Sequence, residues 1–75
     1  MKQLIEYIAR SIVDNPDAVI VNEVPAERGV IYRLSVAPED MGKVIGKQGR
    51  IVKAMRVLLR VSALRKDTRA ILEVE

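Results

Sequence analysis

Two glycines, Gly46 and Gly49, divide the second half of the chain into a short helical segment and a long one. Pro38 opens the first stretch, which can run to about Ile45, with Glu39 and Asp40 in its first turn. The second stretch, Arg50 to about Lys66, consists of good helix formers with apolar side chains at helical spacing. Gly46 is placed to end the first helix in a left-handed conformation, and Gly49 lies where the second helix begins. Any fold of this chain therefore has to accommodate a helix, a tight turn and a second helix.

Strand-like segments lie on both sides of this pair of helices. Residues 18–24 are mostly β-branched or small, and residues 30–36 alternate apolar with other side chains, with a proline and glycine turn signal between the two segments. These segments predict a hairpin, and the alternation over residues 69–75 predicts a final strand. An amphipathic helix precedes the hairpin and ends before Asp14, because the residue before Pro16 is disfavoured in a helix.

The predicted order of elements is therefore α-β-β-α-α-β. A chain of 75 residues has room for one core, so we expect a single domain over residues 1–75. The order favours an α+β fold in which three helices pack on one face of a three-stranded sheet, while the order of the strands stays open. The residues expected to face the core are Leu4, Ile5, Ile8, Ala9, Ile12, Val13, Ile51, Met55, Leu58 and Ser62 on the helices, and Val30, Tyr32, Leu34, Val36, Ala70, Leu72 and Val74 on the strands.

The composition excludes most catalytic chemistry. The chain has no cysteine and no histidine, so it lacks disulfides, thiolate nucleophiles, imidazole bases and Cys/His zinc sites, and we expect no metal and no cofactor. Glu39 and Asp40 are adjacent and would point about 100° apart on a helix, so a helix N-terminus explains them better than acid–base catalysis. The sequence thus argues against an enzyme and against a small-molecule substrate.

The longest uninterrupted apolar run, Ala18 to Val21, is far shorter than the roughly 18 residues that a membrane span requires. We therefore expect a soluble, cytoplasmic protein that does not bind membranes.

The net charge of +3 conceals two regions of opposite sign. The 27 residues from Lys43 to Arg69 contain nine cations and one acid and carry +8, whereas the rest of the chain carries −5. This separation favours a polyanionic partner for the basic region. A solvated basic helix without a specific partner is the alternative, and the charge pattern by itself does not separate the two.

The turn between the two helices combines this charge with backbone donors. The start of the second helix presents unpaired N–H groups, so a phosphate lying there would meet amide donors as well as Lys47 and Arg50. This arrangement predicts a clamp for a nucleic-acid backbone, although an ordinary helix-helix turn could contain the same residues. Basic side chains continue from the turn along one face of the long helix: Arg50, Lys53, Arg56 and Arg60.

The segment Val44-Ile45-Gly46-Lys47-Gln48-Gly49, followed by Ile51, resembles the signature of the K-homology (KH) domain. That signature is Val-Ile-Gly, two variable residues, Gly, two more residues and Ile, and Ile51 comes one position early. The order of elements resembles the type II arrangement. The short chain and the Pro-Glu-Asp-Met-Gly lead into the motif are similar to the small bacterial stand-alone KH proteins of the KhpA type. The resemblance implies a type II KH fold.

This resemblance also implies a function. KH domains bind about four nucleotides of single-stranded RNA, with the GXXG loop gripping the backbone and the bases in a groove. The family further implies a role as an RNA chaperone or post-transcriptional regulator, a homodimer or a heteromer with a larger KH-domain RNA-binding protein, and control of cell-wall growth and cell length. The RNA-binding residues that it implies are Lys43, Val44, Ile45, Gly46, Lys47, Gln48, Gly49, Arg50, Ile51 and Lys53.

A lone domain of this composition is expected to bind RNA weakly. Its only aromatic residues, Tyr7 and Tyr32, are expected to pack against the protein rather than to stack on bases. By the resemblance, the groove for the bases would have one wall formed by Val44, Ile45, Ile51 and Val52 and the other by the strand over residues 30–36.

The long helix also carries apolar side chains outside its expected core face. Val57, Val61 and Leu64 form a strip between the arginines, which indicates either a dimer seam between two helices or ordinary surface residues. Two other functions stay open: a helix-turn-helix protein that binds duplex DNA, and a protein-interaction module with a basic face. The helix-turn-helix alternative is weakened because the second helix offers few side chains that read bases.

Overall fold

The chain forms its helices and strands in the predicted order. The computed structural model describes residues 1–75. Single turns of 3-10 helix lie at Pro16–Ala18, Pro38–Asp40 and Lys47–Gly49. The main elements are α1 (Lys2–Ile12), β1 (Ile20–Ala26), β2 (Gly29–Ser35), α2 (Met41–Ile45), α3 (Arg50–Arg65) and β3 (Arg69–Val74).

The three strands form one mixed sheet in the order β1-β2-β3. The β1 and β2 strands are antiparallel and are joined by the two-residue turn Glu27-Arg28, so β1 runs on through Pro25 rather than stopping before it. Pro25 is tolerated because β1 is an edge strand. The β2 and β3 strands are parallel because the chain between them crosses over through α2 and α3.

One face of the sheet carries the core. Tyr32 lies between Glu23 on β1 and Leu72 on β3, and Leu34 lies between Val21 and Val74 in the next row. The opposite face is open to solvent and carries an ion pair between Arg33 and Glu73 at 3.2 Å. The expected single packed face is thus confirmed, and its core consists of Ile5, Ala9, Val19, Val21, Tyr32, Leu34, Val36, Val44, Val52, Met55, Leu59 and Leu72.

The α3 helix faces the core with a different side from the expected one. Met55 is buried as predicted, but Leu58 is 49% exposed, and Val52 and Leu59 occupy the core instead. The cause is that apolar residues occur almost all around α3, so its periodicity does not single out one face. Packing against β3 selects the buried side.

The α1 helix shows a smaller difference of the same kind. Ile5 and Ala9 are buried as expected, whereas Leu4 is exposed at the edge of the apolar face. The two tyrosines also differ: Tyr32 packs in the core, but Tyr7 is 73% exposed on the outer side of α1, so the expectation that it packs was wrong. Crossing a lipid bilayer would need a longer and more apolar helix than the chain forms.

Candidate nucleic-acid interface

The Gly46-Lys47-Gln48-Gly49 turn, called the GKQG turn below, has a backbone that depends on glycine. Gly46 has φ 74° and ψ 179°, a conformation that is essentially restricted to glycine. A Cβ atom there would also lie 2.8 Å from Cγ1 of Ile51. Gly46 was expected to be left-handed, but Gln48 and Gly49 adopt that conformation instead. A hydrogen bond from the Gly49 N–H to the Gly46 carbonyl oxygen, at 3.2 Å, closes the turn.

The tip of the turn is available to a ligand. Lys47 and Gln48 are exposed, and α3 begins directly after them at Arg50. No side chain caps the start of α3, and the Arg50 N–H donates to the carbonyl oxygen of Lys47 within the turn. The tip therefore combines the positive end of the α3 dipole with one lysine and one arginine within a few residues, which is a chemically suitable site for a phosphate.

The apolar residues of the motif have different roles. Val44 has no exposed surface and lies in the core, and Ile51 is partly buried beneath Gly46. Both side chains support the turn from within. Ile45 is 37% exposed and is the apolar residue of this segment that reaches the surface.

Lys43 is turned toward the end of α1. Its Nζ atom forms an ion pair with the carboxylate of Asp14. Hydrogen bonding to Asp14 raises the pKa of Lys43 above its ordinary value, with partial desolvation opposing the shift and the charges of Asp14 and Asp40 adding to it. Lys43 is therefore ion-paired within the protein, unlike the cations of α3.

Asp40 is the single charged residue in the buried set, at 1% exposure. Its two carboxylate oxygens accept hydrogen bonds from the backbone N–H groups of Asp14, at 3.2 Å, and Asn15, at 3.0 Å. These bonds join the segment after α1 to the start of α2. No group of three or more carboxylates is arranged to hold a metal ion.

A row of exposed cations extends from the turn along α3. None of its members forms an ion pair, whereas Lys43 does. The row is about 15 Å long from Arg50 to Arg60, given the rise of a helix. Its members are Arg50, Lys53, Arg56 and Arg60.

This row leads to an open groove between α3 and β3, with a volume of about 460 Å³. Arg56, Arg60 and Arg69 line the groove together with apolar residues, and no carboxylate does. The guanidinium group of Arg56 donates from Nε and one Nη to the carbonyl oxygen of Leu72, at 3.4 Å in each case. The groove therefore combines apolar walls with uncompensated positive charge.

Two parts of the predicted walls, Val52 and the strand over residues 30–36, do not border an open groove in the structure. Val52 is buried and β2 is the central strand with its inner face covered, so neither can border an open cleft. The open groove lies against β3 instead, and Arg69 was missed for this reason. The order strand, helix, helix, strand was an available signal, because it favours a parallel crossover that makes the last strand an edge next to the second helix.

The strip proposed as a dimer seam is exposed. Val57 and Val61 are each 47% exposed and Leu64 is more so. Val57 and Leu64 also line the groove, whereas Val61 does not. Leu58, which was expected in the core, extends the apolar surface beside Val61.

The chain matches known proteins over almost its whole length. The family model described as "KhpA/KhpB, KH domain" matches residues 2–74. The chain is 55% identical over 74 residues to the RNA-binding protein KhpA of Clostridium acetobutylicum and 54% identical over 74 residues to that of Caldanaerobacter subterraneus subsp. tengcongensis, with 99% of each chain covered in both comparisons. It is 52% identical over 73 residues to the RNA-binding protein KhpA of Treponema pallidum, covering 97% of this chain and 91% of the relative. No solved structure matches the chain.

Proposed function

Because the chain belongs to the KhpA/KhpB family of KH domains, a non-enzymatic RNA-binding family, we propose that it binds single-stranded RNA at the GKQG turn and in the groove between α3 and β3. The relatives named above are RNA-binding proteins. Residues 1–75 act as one KH domain in this proposal.

The observation that carries the proposal is the continuous run of unpaired cations from the turn into the groove. Lys47, Arg50 and Lys53 lie at or near the tip, and the groove that follows has three arginines and no carboxylate. A chain of phosphates with bases on one side is the ligand that this combination fits. An acidic peptide would satisfy the charges but would leave the apolar walls of the groove without a planar partner.

In the proposed mechanism the turn grips the RNA backbone. The positive N-terminal end of α3 and the side chains of Lys47 and Arg50 bind phosphates, while bases enter the groove and contact Val57 and Leu64. Lys43 contributes through the ion pair with Asp14, which helps to fix α2. No aromatic side chain lines the groove, so the stacking energy of about 1–3 kcal/mol per base is missing and the affinity of one domain is modest.

The finer parts of the proposal follow the family resemblance. We place the protein in the cytoplasm, as an RNA chaperone or post-transcriptional regulator that works as a homodimer or with a larger KH-domain RNA-binding protein, in the control of cell-wall growth and cell length. Weak binding by one domain supports the need for a second domain in the complex.

The double substitution Lys47→Asp and Gln48→Asp tests the RNA site. Aspartate tolerates the left-handed conformation that Gln48 adopts, so the turn keeps its shape while the tip becomes acidic. We expect RNA affinity to fall at least roughly tenfold at low salt, because phosphate contacts are lost and repulsion is introduced. Affinities for single-stranded RNA, single-stranded DNA and duplex DNA are measured at two salt concentrations.

A matched control is available on α1. The substitutions Lys2→Asp and Gln3→Asp change the charge by the same amount at exposed residues in the first turn of that helix, where acids are tolerated. The control is expected to retain RNA binding, and both variants are expected to keep the circular dichroism of the wild type. Equal loss in both variants, or none in the turn variant, would reject the site. A preference for duplex DNA would favour the helix-turn-helix alternative.

A homodimer through α3 is a second part of the proposal with its own test. The apolar surface of Leu58 and Val61 supports it, since Val61 lies outside the groove. Val61→Glu is expected to convert a dimer to a monomer in light scattering while the short-RNA affinity per chain is retained. A wild-type protein that is monomeric at high concentration would contradict the homodimer.

A further inference from the structure

A second pair of arginines lies beyond the end of α3, away from the GKQG turn. Arg28 occupies the turn between β1 and β2, and Arg69 is the first residue of β3. Both line one shallow depression on the surface, in which Glu27 is the single carboxylate. Neither arginine forms an ion pair, in contrast to Arg10 and Arg33.

The backbones of these arginines are fixed against each other. The carbonyl oxygen of Arg28 accepts hydrogen bonds from the Arg69 N–H, at 3.2 Å, and from the Thr68 hydroxyl, at 3.4 Å. A Cβ atom on Gly29 would lie 1.9 Å from the carbonyl oxygen of Arg69, so the close approach needs glycine. None of these contacts uses an arginine side chain, and the fold therefore does not explain why arginine occupies either position.

The pair is continuous with the groove. Arg69 lines both the groove and the depression, so it connects Arg56 and Arg60 in the groove to Arg28. The α3 helix has 16 residues and is about 24 Å long, with the GKQG turn at its start. A strand that is gripped at the turn and follows the groove leaves the protein past Arg69.

We propose that Arg28, held beside Arg69, forms a second phosphate-binding surface that contacts RNA flanking the nucleotides bound in the groove. This proposal rests on the proposed function, in which the protein binds single-stranded RNA. Exposed guanidinium groups outside the groove for the bases contact the phosphodiester backbone, so this surface adds affinity without adding sequence preference. The RNA footprint is accordingly longer than the four nucleotides that a KH clamp holds.

The substitution Arg28→Gln tests the proposal with two pools of random-sequence RNA, of four and of twelve nucleotides. Affinity for the long pool is expected to fall roughly threefold at low salt, and the slope of log affinity against log salt is expected to decrease by about 0.7, the value for one lost contact to single-stranded nucleic acid. Affinity for the short pool is expected to stay unchanged. In NMR titrations the amides of Gly29 and Thr68 are expected to shift with the long pool and not with the short one.

Arg33→Gln is the matched control, because it removes one positive charge from an arginine that is paired with Glu73 on the open face of the sheet. Equal weakening by the two substitutions, equal weakening of both pools by Arg28→Gln, or unchanged binding of the long pool would each overturn the second surface. If the Lys47 and Gln48 double variant loses both pools while Arg28→Gln binds like the wild type, only the second surface is rejected. If the wild type binds neither pool, both proposals fail.

Discussion

Gly42 and Gly46 are one helical turn apart, but the structure requires glycine at only one of them. Gly46 has a positive φ and would place a Cβ against Ile51. A Cβ on Gly42 would meet nothing within 4 Å, and Gly42 lies in the regular part of α2. The conformation of the turn is therefore decided at Gly46, with Val44 and Ile51 packed around it.

We expect Gly46→Ala to destabilise the protein by about 1–3 kcal/mol, because alanine is strained in this conformation. Gly42→Ala is the matched control and is expected to stabilise the protein by about 0.4–1 kcal/mol, since it lowers the entropy of the unfolded chain at a compatible site. Urea denaturation of the two variants measures both effects. A loss of stability in Gly42→Ala, or none in Gly46→Ala, would contradict this assignment.

At the scale of elements, α2 depends on its neighbours. It has five residues, Met41–Ile45, which is too short for a helix that is stable by itself. Val44 anchors it in the core, and Asp40 joins its start to the backbone after α1. These two contacts set the position of α2 and hence of the GKQG turn that follows it.

The substitution Asp40→Ala is expected to reduce the free energy of unfolding by about 1–3 kcal/mol, because two partly buried N–H groups lose their acceptors. Asp40→Asn keeps one acceptor oxygen and is expected to have a smaller effect. Glu39→Ala, at the exposed neighbouring position, serves as the control and is expected to change stability by less than about 0.5 kcal/mol. Thermal or urea denaturation measures the free energy of unfolding of these variants. Equal effects at positions 39 and 40 would refute the role of Asp40.

At the scale of the whole molecule, both groups with shifted pKa values, Tyr32 and Lys43, belong to contacts between different elements of the fold. Burial raises the pKa of Tyr32 above its ordinary value of 10.0, and the charge of Glu23 on the neighbouring strand adds to the shift. Lys43 has its pKa raised by the hydrogen bond to Asp14 from the end of α1. Raised values mean that the folded protein holds these protons more tightly than the unfolded chain does.

The free energy of unfolding is therefore expected to keep these two contributions below about pH 10 and to lose them as the pH rises through the folded pKa values. Tyr32→Phe removes one titrating group and is expected to make the decline above about pH 10 shallower. Urea denaturation between about pH 7 and 11 measures how the free energy of unfolding of the wild type and of the Tyr32→Phe variant depends on pH. A steeper alkaline decline in the Phe variant would contradict the sign of the shift.

Local pattern determined much of this protein. The spacing of apolar residues predicted the bounds of the helices and strands to within about two residues, except that α2 begins at Met41 after a 3-10 turn at Pro38–Asp40. The glycines at 46 and 49 located the turn. These features depend on neighbours along the chain. The tyrosines show what local pattern does not predict. Tyr32 and Tyr7 both lie near apolar faces in the sequence, yet Tyr32 is buried and Tyr7 is exposed.

The sequence by itself determined the order of elements, the position of the GKQG turn and the concentration of charge around it, since each is set by spacing within one segment. Only the tertiary structure decided which side of α3 is buried, that Lys43 pairs with Asp14, and that the open groove borders β3 with Arg69 on its wall. These features depend on contacts between residues far apart in the chain. Strand order, which periodicity leaves undetermined, selects which of those contacts form.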